Sequence, residues 1–393
     1  MAWNPLGGLF SKEKTESRPE TAAPGPIRFA FNVFHALTKD SPAENIFISP
    51  ASIHFVLSLT CGGAAGETRA GMAAALELQG LSDNDVHAGC KILKTLLERR
   101  EPTVNLAIAN SLWARLGVEF KAEYQQMARE NYSADARTLD FMSPEAAATI
   151  NQWCSDHTNG KINEIVKPDQ LKICLLALVN ALYFKGLWAD GYEFNADATQ
   201  DKPFALLNGS SKTVPLMTQM NDFPYQQGKN FQAVKIGYGE GHVSMIVMLP
   251  AKGVNFADFV RELSAEKWEA AMAGFEDTKG RLSLPRFTLR YEKDLNDCLM
   301  AMGMQRAFSP EAEFPAMARA PLMIGLVKHK TFVDVNEKGT EAAAVTAVLM
   351  VPGCAAPRET KKPFEMIVDR PFVCAIRDER TGTMLFLGTI VEP

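Results

Sequence analysis

Apolar and polar positions repeat along this chain with two different periods, which separates helices from strands. Apolar residues at three- and four-residue spacing predict an amphipathic helix at residues 27–37, a buried helix at Ser52–Thr60 and a third helix at Asp83–Arg100. Short apolar runs rich in branched side chains predict strands later in the chain. These strands are Asn105–Trp113, Leu175–Phe184, Ala233–Ile236, Val243–Leu249 and Leu282–Arg290. Because the helices come mostly early and the strands mostly late, the pattern indicates a mixed α+β domain.

A strip of small side chains between Glu337 and Pro352 follows a predicted strand at Thr331–Val335. With the two-residue period of a strand, one face of the strip begins small and ends bulky. The members of that face are Thr340, Ala342, Ala344, Thr346, Val348 and Met350. The opposite face begins with Glu341, and Gly339 gives the backbone the freedom of a hinge. The strip therefore suits a loop that can become a strand with one buried face.

The same strip also has the composition of an exposed helix, because alanine has the highest helix propensity. Two observations count against that alternative. No apolar stripe at helical spacing continues past Thr346, and neither end of the strip offers a good cap. We therefore predict a loop and keep the exposed helix as the alternative.

Six short blocks with distinctive residues follow one another along the chain. Residues 337–343 have the form Glu-x-Gly-Thr-Glu-Ala-Ala. The other five blocks are Asn45–Ile53, Ala109–Trp113, Ile150–Trp153 with Thr158–Ile162, Val179–Trp188, and Asp369–Phe372 with Thr381–Gly388. Taken in chain order, the six blocks resemble those of the serpin family, and the resemblance extends from about residue 27 to the end of the sequence.

The resemblance implies the serpin fold, an α+β structure with three β-sheets, eight or nine helices and an exposed reactive-centre loop at about residues 338–362. It also implies a single domain at residues 26–393. Residues 1–25 are polar and interrupted by prolines, so we expect a disordered tail before that domain.

The resemblance further assigns roles to individual residues. By the family's register the reactive bond joins Gly353 to Cys354, and the small residue before that bond favours an elastase-like or subtilisin-like target. Alternatives for the residue in the primary pocket are Met350, Val351, Cys354 and Ala355. The hinge residues are Gly339, Thr340, Glu341, Ala342, Ala343 and Ala344.

Two further groups of residues match serpin sites on the large sheet. The shutter, a buried polar cluster beneath the point where the sheet parts, is Ser49, Ser52, Asn180 and His329. The breach, at the top of the same sheet, is Trp188, Arg286 and Glu337. The family usually has lysine where Arg286 stands, so the ion pair is kept but its geometry is expected to differ.

The resemblance implies a suicide-substrate inhibitor of serine endopeptidases, with cysteine endopeptidases as a further target class. A protease would cleave the loop, and the loop would then insert into the large sheet with the acyl-enzyme attached. Loop insertion is a general property of serpins and comes from the resemblance, not from the residue spacing. About 20 new ladder hydrogen bonds would release on the order of 10–30 kcal/mol. The alternative is a non-inhibitory serpin acting as a chaperone, carrier or storage protein.

Composition limits the partners. The 393 residues are 47% hydrophobic and carry a net charge of −5, so we expect neither nucleic-acid nor membrane binding. The expected partner is an endopeptidase, and the chain is expected to be a monomer. A local basic group is interpreted as a solvated helix face. Its members are Lys91, Lys94, Arg99 and Arg100.

Enzymatic function is not expected. None of the six histidines lies in a catalytic signature, and no His-x-x-x-His or Cys-x-x-Cys spacing indicates a metal site. The glycines of Gly237–Gly241 are interpreted as a hairpin turn and not as a phosphate-binding loop. We therefore expect no metal and no cofactor.

The seven cysteines lack paired spacing, which indicates reduced thiols, most of them small core residues. Cys354 is an exception, since an exposed thiol in the loop would be open to regulatory oxidation. No secretory signal is visible, so a cytoplasmic location is favoured. Leaderless export is the alternative, because the family is commonly extracellular.

Overall fold

The computed structural model describes residues 25–98, 101–340 and 362–393. The α-helices in these ranges are α1 (Gly25–Asp40), α2 (Pro50–Cys61), α3 (Gly66–Ala75), α4 (Asp83–Leu97), α5 (Ala122–Tyr132), α6 (Glu145–His157), α7 (Pro168–Lys172), α8 (Phe256–Glu262), α9 (Ala265–Ala273) and α10 (Asn296–Leu299). The predicted helices at residues 27–37 and 52–60 are confirmed within α1 and α2. The third predicted helix, Asp83–Arg100, is confirmed as α4 as far as Leu97, and its last two residues lie outside the described residues.

The strands in the same ranges form two sheets. They are β1 (Ile46–Ile48), β2 (Val104–Arg115), β3 (Asp135–Leu139), β4 (Leu176–Leu187), β5 (Gln200–Ala205), β6 (Ser211–Gln227), β7 (Phe231–Tyr238), β8 (Val243–Pro250), β9 (Glu276–Pro285), β10 (Phe287–Asp294), β11 (Ile324–Asn336), β12 (Gly339–Thr340), β13 (Phe364–Ile367), β14 (Phe372–Asp378) and β15 (Met384–Ile390). The six-stranded sheet has the order β10-β11-β12-β4-β2-β3. The nine-stranded sheet has the order β1-β15-β14-β8-β7-β6-β9-β13, with β5 paired to β6.

The resemblance implied three sheets, but the described residues form two hydrogen-bonded sheets. The difference arises because β6 is one continuous strand. This strand is 17 residues long. It pairs with β5 and β9 along most of its length and with β7 over its last three residues. One long strand thus joins two layers that the resemblance implied as separate. The α-helices in these ranges number ten, and two of them, α7 and α10, have only five and four residues.

The predicted strand at Leu282–Arg290 is wrong as a single element. The chain leaves the nine-stranded sheet after Pro285 and joins the six-stranded sheet at Phe287. Pro285 has no N–H to continue a ladder. At the break, the Arg286 N–H donates to the Pro215 carbonyl at 2.8 Å. The apolar pattern continues across the break, so periodicity alone does not reveal it.

The core that positions the site is built around α2, which contacts β2 and β4 of one sheet and β15 of the other. Ser49 caps this helix, because its Oγ accepts from the Ser52 N–H at 3.3 Å, and Pro50 occupies the first turn. Ten residues of the helix are buried, so it is enclosed by the protein on nearly every side. The opposite face of the six-stranded sheet is covered by α6, where Trp153 lies edge-on to Trp113.

Two expectations about side chains have different outcomes. The interpretation of Lys94 as solvated is wrong, because it is buried and donates to Glu98 and to the Ile108 carbonyl. The six described cysteines are confirmed as buried free thiols, and burial raises the pKa of Cys61 to about 11.

Among the described residues, no helix combines the length and the hydropathy that crossing a bilayer requires.

Candidate functional site

The first two hinge residues already form a short strand inside the six-stranded sheet. In β12, Thr340 opposes Val335 of β11 on one side and Gly186 of β4 on the other. Away from β12, β4 and β11 pair directly with each other, in parallel, as far as Leu176 and Ile324. The sheet is therefore forked. We call its end at Thr340 the hinge end and its end at Leu176 and Ile324 the far end.

The backbone conformation at the fork requires a glycine at position 339. Its φ is +145°, a region that side chains rarely adopt, and a Cβ placed there would lie 2.1 Å from the Gly186 carbonyl oxygen. Glycine at this position lets the chain pass between β4 and β11. The expectation that Gly339 supplies conformational freedom is consistent with this geometry.

Thr340 is held by a wall of aromatic side chains. Its hydroxyl lies 2.7 Å from the Tyr238 hydroxyl, and both residues are fully buried. Tyr238 stacks on Trp188 with the ring centroids 4.5 Å apart, and Trp188 Nε1 donates to the Asn336 carbonyl at 3.0 Å. The inward-facing Thr340 side chain is thus held by a hydrogen bond within otherwise aromatic surroundings. Tyr238 belongs to the confirmed hairpin after β7, and its position in a turn motif gave no signal of this role.

The Tyr238–Thr340 contact carries a measurable prediction. Replacing Tyr238 with phenylalanine leaves the buried Thr340 hydroxyl without its partner, so we expect the free energy of unfolding to fall by about 1–3 kcal/mol. Thr340→Val in the same background should cost little more, because the partner is already gone. Urea titration of the two single variants and the double variant measures this coupling. Strict additivity of the two changes would show that the contact does not hold the hinge.

Two of the predicted breach residues, Arg286 and Glu337, form an ion pair just before the hinge. The Arg286 guanidinium and the Thr199 hydroxyl both donate to Glu337 Oε1, the latter at 2.7 Å. Burial by itself raises the pKa of the Glu337 carboxyl, but these hydrogen bonds outweigh it and hold the pKa below its ordinary value. The Arg286 side chain is 45% exposed, so the ion pair contributes modestly to stability and mainly fixes position. Thr199 was not foreseen, since 138 residues separate it from Glu337.

The structure also brings together the four predicted shutter residues. The Ser49 N–H donates to His329 Nε2 at 3.1 Å. Asn180 joins the group through two contacts, because its Oδ1 lies 2.5 Å from His329 Nδ1 and its Nδ2 donates to Ser52 Oγ at 2.5 Å. Since Asn180 is on β4 and His329 on β11, this hydrogen bond links the two strands below the fork. We call these four shutter residues the latch.

The latch fixes the state of His329. A backbone N–H can only donate, so Nε2 carries no proton and Nδ1 donates to Asn180. Burial lowers the pKa of His329 to about 3, which is consistent with a neutral ring. A fifth residue, Asn110 on β2, accepts from Asn180 Nδ2, while its own buried Nδ2 has no hydrogen-bond partner among the described residues. The sequence did carry one signal for Asn110. The apolar strands β2 and β4 each contain a buried asparagine, and the two asparagines oppose each other in the sheet.

The neutral His329 predicts an acid-sensitive native state. Its pKa is lowered from 6.5 to about 3 on folding, so its contribution to stability is present above pH 6.5 and is lost as pH falls towards 3. The expected slope approaches about 1.4 kcal/mol per pH unit for this group. His54, whose pKa burial lowers to about 4, adds to the same window. Urea titrations at pH 5, 6 and 7 should therefore show a shallower slope for His329→Gln than for the parent, and equal slopes would contradict the assignment.

The remaining predicted site residues lie outside the described residues. They are the hinge positions Glu341, Ala342, Ala343 and Ala344 and the reactive bond Gly353–Cys354. The structure therefore describes the base of the hinge, the breach and the latch.

A sheet forked at a hinge, with a polar latch below the fork, is the arrangement that defines the serpin class. The chain belongs to this family, since the family model described as serpin (serine protease inhibitor) matches residues 25–393. The leukocyte elastase inhibitor of Bos taurus is 35% identical over 379 residues, which cover 93% of this chain and 98% of that protein.

Solved structures show the same fold. The native state of the thermophilic serpin tengpin superposes with a TM-score of 0.85 at 27% identity, covering 97% of this chain and 96% of that chain. Human thyroxine-binding globulin in complex with thyroxine superposes with a TM-score of 0.84 at 26% identity, covering 95% and 98% of the two chains. The predicted serpin fold is confirmed.

Proposed function

We propose that this chain is a suicide-substrate inhibitor of serine endopeptidases, which traps the acyl-enzyme by inserting its cleaved loop between β4 and β11. The observation that carries the proposal is β12. Two residues of the loop already pair with both neighbours at the fork, in the antiparallel direction that a longer inserted strand would need. Insertion would extend an existing strand and would not require a new one to nucleate.

The two ladders of β12 agree on where the rest of the strip would lie. Continuing the pairing of Thr340 with Gly186 places residue 343 opposite Tyr183 of β4. Continuing the pairing of Thr340 with Val335 places the same residue opposite Phe332 of β11. Tyr183 and Phe332 already oppose each other in the present sheet. An inserted strand can therefore follow both ladders without a shift of register.

The shared register also assigns neighbours to the inward side chains of the strip. Ala342 would lie between Phe184 and Val333, which are both fully buried. Thr346 would lie level with Asn180 and His329, whose hydrogen bond must break to admit it. A hydroxyl at that level can replace the lost partner of each side chain. Small residues early in the strip and a hydroxyl at the latch both suit insertion.

The free energy released by insertion is smaller than the sequence alone suggested. The inserted strand would gain one ladder of hydrogen bonds with β4 and one with β11, but the direct ladder between β4 and β11 would be lost. The direct pairing of β4 with β11 spans eight residue pairs and must open. The net gain is therefore about 10 hydrogen bonds and not about 20, or roughly 5–15 kcal/mol before side chains are buried. That equals the stability of a typical domain. The native form is then metastable and is held by the latch and the closed ladder.

The proposed target is an elastase-like serine protease, with subtilisin-like enzymes as the second class. A bovine relative is named for the inhibition of leukocyte elastase, and the register that places Gly353 before the reactive bond offers a small residue to the primary pocket. We further propose that residues 26–393 act as one inhibitory unit and that the shutter and breach residues control the opening of the sheet.

The test is incubation with pancreatic elastase, subtilisin and papain, followed by denaturing electrophoresis. We expect an SDS-stable complex with at least one serine protease, and mass spectrometry of the released peptide should place the cut after Gly353. Cleaved inhibitor together with fully active protease in every reaction would contradict the proposal. That result would instead indicate the non-inhibitory alternative.

A further inference from the structure

A cavity of about 290 Å³ lies between α1, α8 and the end of β15. The last part of α1 and the residues just after it form one side, α8 forms another side, and Thr389 of β15 is its most deeply buried polar member. None of the lining residues belongs to the hinge, the breach or the latch. The proposed inhibition therefore gives this cavity no role.

The two helices that enclose the cavity are tied together by His35 of α1. Its Nε2 lies 3.2 Å from the Val260 carbonyl oxygen of α8, and Nε2 donates this hydrogen bond because a carbonyl can only accept. Burial lowers the pKa of His35 from its ordinary value, so the ring is uncharged at neutral pH. The walls are thus held in place before any ligand arrives, which is usual for small-molecule sites.

The lining combines buried apolar side chains with exposed basic ones. Phe256 and Val260 supply apolar surface from α8, and Val260 is only 4% exposed. The ionisable side chains of the lining are all basic, and no described acidic residue belongs to it. They are His35, Lys39 and Arg261. Since His35 is neutral, the charge at the cavity comes from the lysine and the arginine and favours an anion.

Both cations can accept a further partner. Lys39 is exposed and forms no ion pair with any residue that the structure describes. Arg261 Nη2 donates to Asp258 Oδ1 at 2.6 Å, but a guanidinium has five N–H donors and keeps others for a second acceptor. An exposed lysine alone is ordinary. Here it lies beside an apolar cavity, where a carboxylate with an apolar body could use both features.

Thr389 is an independent sign of a ligand. The residue is 3% exposed, and its backbone lies between Ile46 of β1 and Val373 of β14, so its side chain is the part that reaches the cavity. No described residue forms a hydrogen bond with the Thr389 hydroxyl. A buried hydroxyl without a partner is costly, and an oxygen atom of a ligand would satisfy it.

We propose that this cavity binds a medium-chain carboxylate that carries a second oxygen at its far end, as a hydroxy fatty acid does. Lys39 and Arg261 pair with the carboxylate, the apolar lining covers the chain, and the Thr389 hydroxyl bonds to the distal oxygen. An apolar cavity of about 150 Å³ binds benzene, so about 290 Å³ has room for roughly ten to twelve carbons. The inference does not depend on the proposed inhibition.

Three ligands of equal chain length test the two ends of the site. The native protein is titrated by isothermal calorimetry with 10-hydroxydecanoate, with decanoate, which lacks the distal hydroxyl, and with 1,10-decanediol, which lacks the carboxylate. We expect saturable binding of 10-hydroxydecanoate, at least fivefold weaker binding of decanoate and at least tenfold weaker binding of the diol. Absence of saturable binding of 10-hydroxydecanoate would overturn the proposal, and so would a diol that binds as tightly.

Two variants place the ligand in this cavity. Lys39→Gln should weaken the binding of 10-hydroxydecanoate at least fivefold, and Thr389→Val should bind 10-hydroxydecanoate and decanoate with equal affinity. Lys91→Gln is the matched control, because Lys91 is also an exposed helix lysine but lies on α4, outside the lining. It should bind like the parent. Parent-like behaviour of either Lys39→Gln or Thr389→Val would show that the ligand binds elsewhere, whereas the comparison of ligands in the parent needs neither variant to fold.

Discussion

Replacing Ala342 with arginine is expected to convert the protein from an inhibitor into a substrate. In the shared register this side chain would enter between Phe184 and Val333, and burying a guanidinium there costs several kcal/mol. Insertion would then be slower than hydrolysis of the acyl bond. The stoichiometry of inhibition, measured as moles of inhibitor consumed per mole of elastase inactivated, should rise at least tenfold, while cleavage occurs at the same bond.

The control for that variant is the same substitution one position earlier. Glu341 would face outward between Lys185 and Asp334, which are both partly exposed. Arginine is tolerated on such a surface, so Glu341→Arg should keep a stoichiometry close to that of the parent. Equal stoichiometries for Ala342→Arg and Glu341→Arg would show that the strip does not alternate faces on insertion, and the proposed register would be wrong.

Removing the central residue of the latch is expected to have the second large effect. Asn180→Ala leaves His329 Nδ1 and Asn110 Oδ1 buried without their partner, which should lower the free energy of unfolding of the native form by about 2–5 kcal/mol. Urea denaturation of the native protein, followed by circular dichroism, measures this change. The cleaved form should lose less, because Thr346 can bond to His329 in its place.

Asn105→Ala is the matched control for the latch. Asn105 is also a strand asparagine, on β2, but its side chain is exposed, so the change should stay within about 0.5 kcal/mol. If Asn180→Ala were as stable as Asn105→Ala, the hydrogen bond between β4 and β11 would not hold the sheet closed.

The sequence predicted well what depends on local pattern. The alternation of small residues indicated that Thr340 faces inward, and it is fully buried against Tyr238. Helices α1 and α2 and the hairpin after β7 also follow from periodicity and glycine placement. These features depend on neighbours a few residues apart, which is the range over which a pattern carries information.

The features that the sequence did not predict depend on distant partners. Tyr238 and Thr340 are 102 residues apart, and the link between Thr199 and Glu337 spans 138. No spacing rule connects such pairs, so family resemblance could supply the latch residues but not Asn110. The wrong interpretation of Lys94 has a similar cause, because burial of its stem against β2 depends on how α4 packs.

The stored energy that the proposed function requires is tested most directly by cutting the loop and heating the product. A protease that is not inhibited can be used to nick the chain between Ala344 and Gly353, after which mock-treated and nicked protein are compared by differential scanning calorimetry. A gain of 5–15 kcal/mol in a chain of this length predicts a melting temperature roughly 5–20 °C higher for the nicked form. A nicked form that melts at or below the temperature of the intact protein would contradict loop insertion as the source of inhibition.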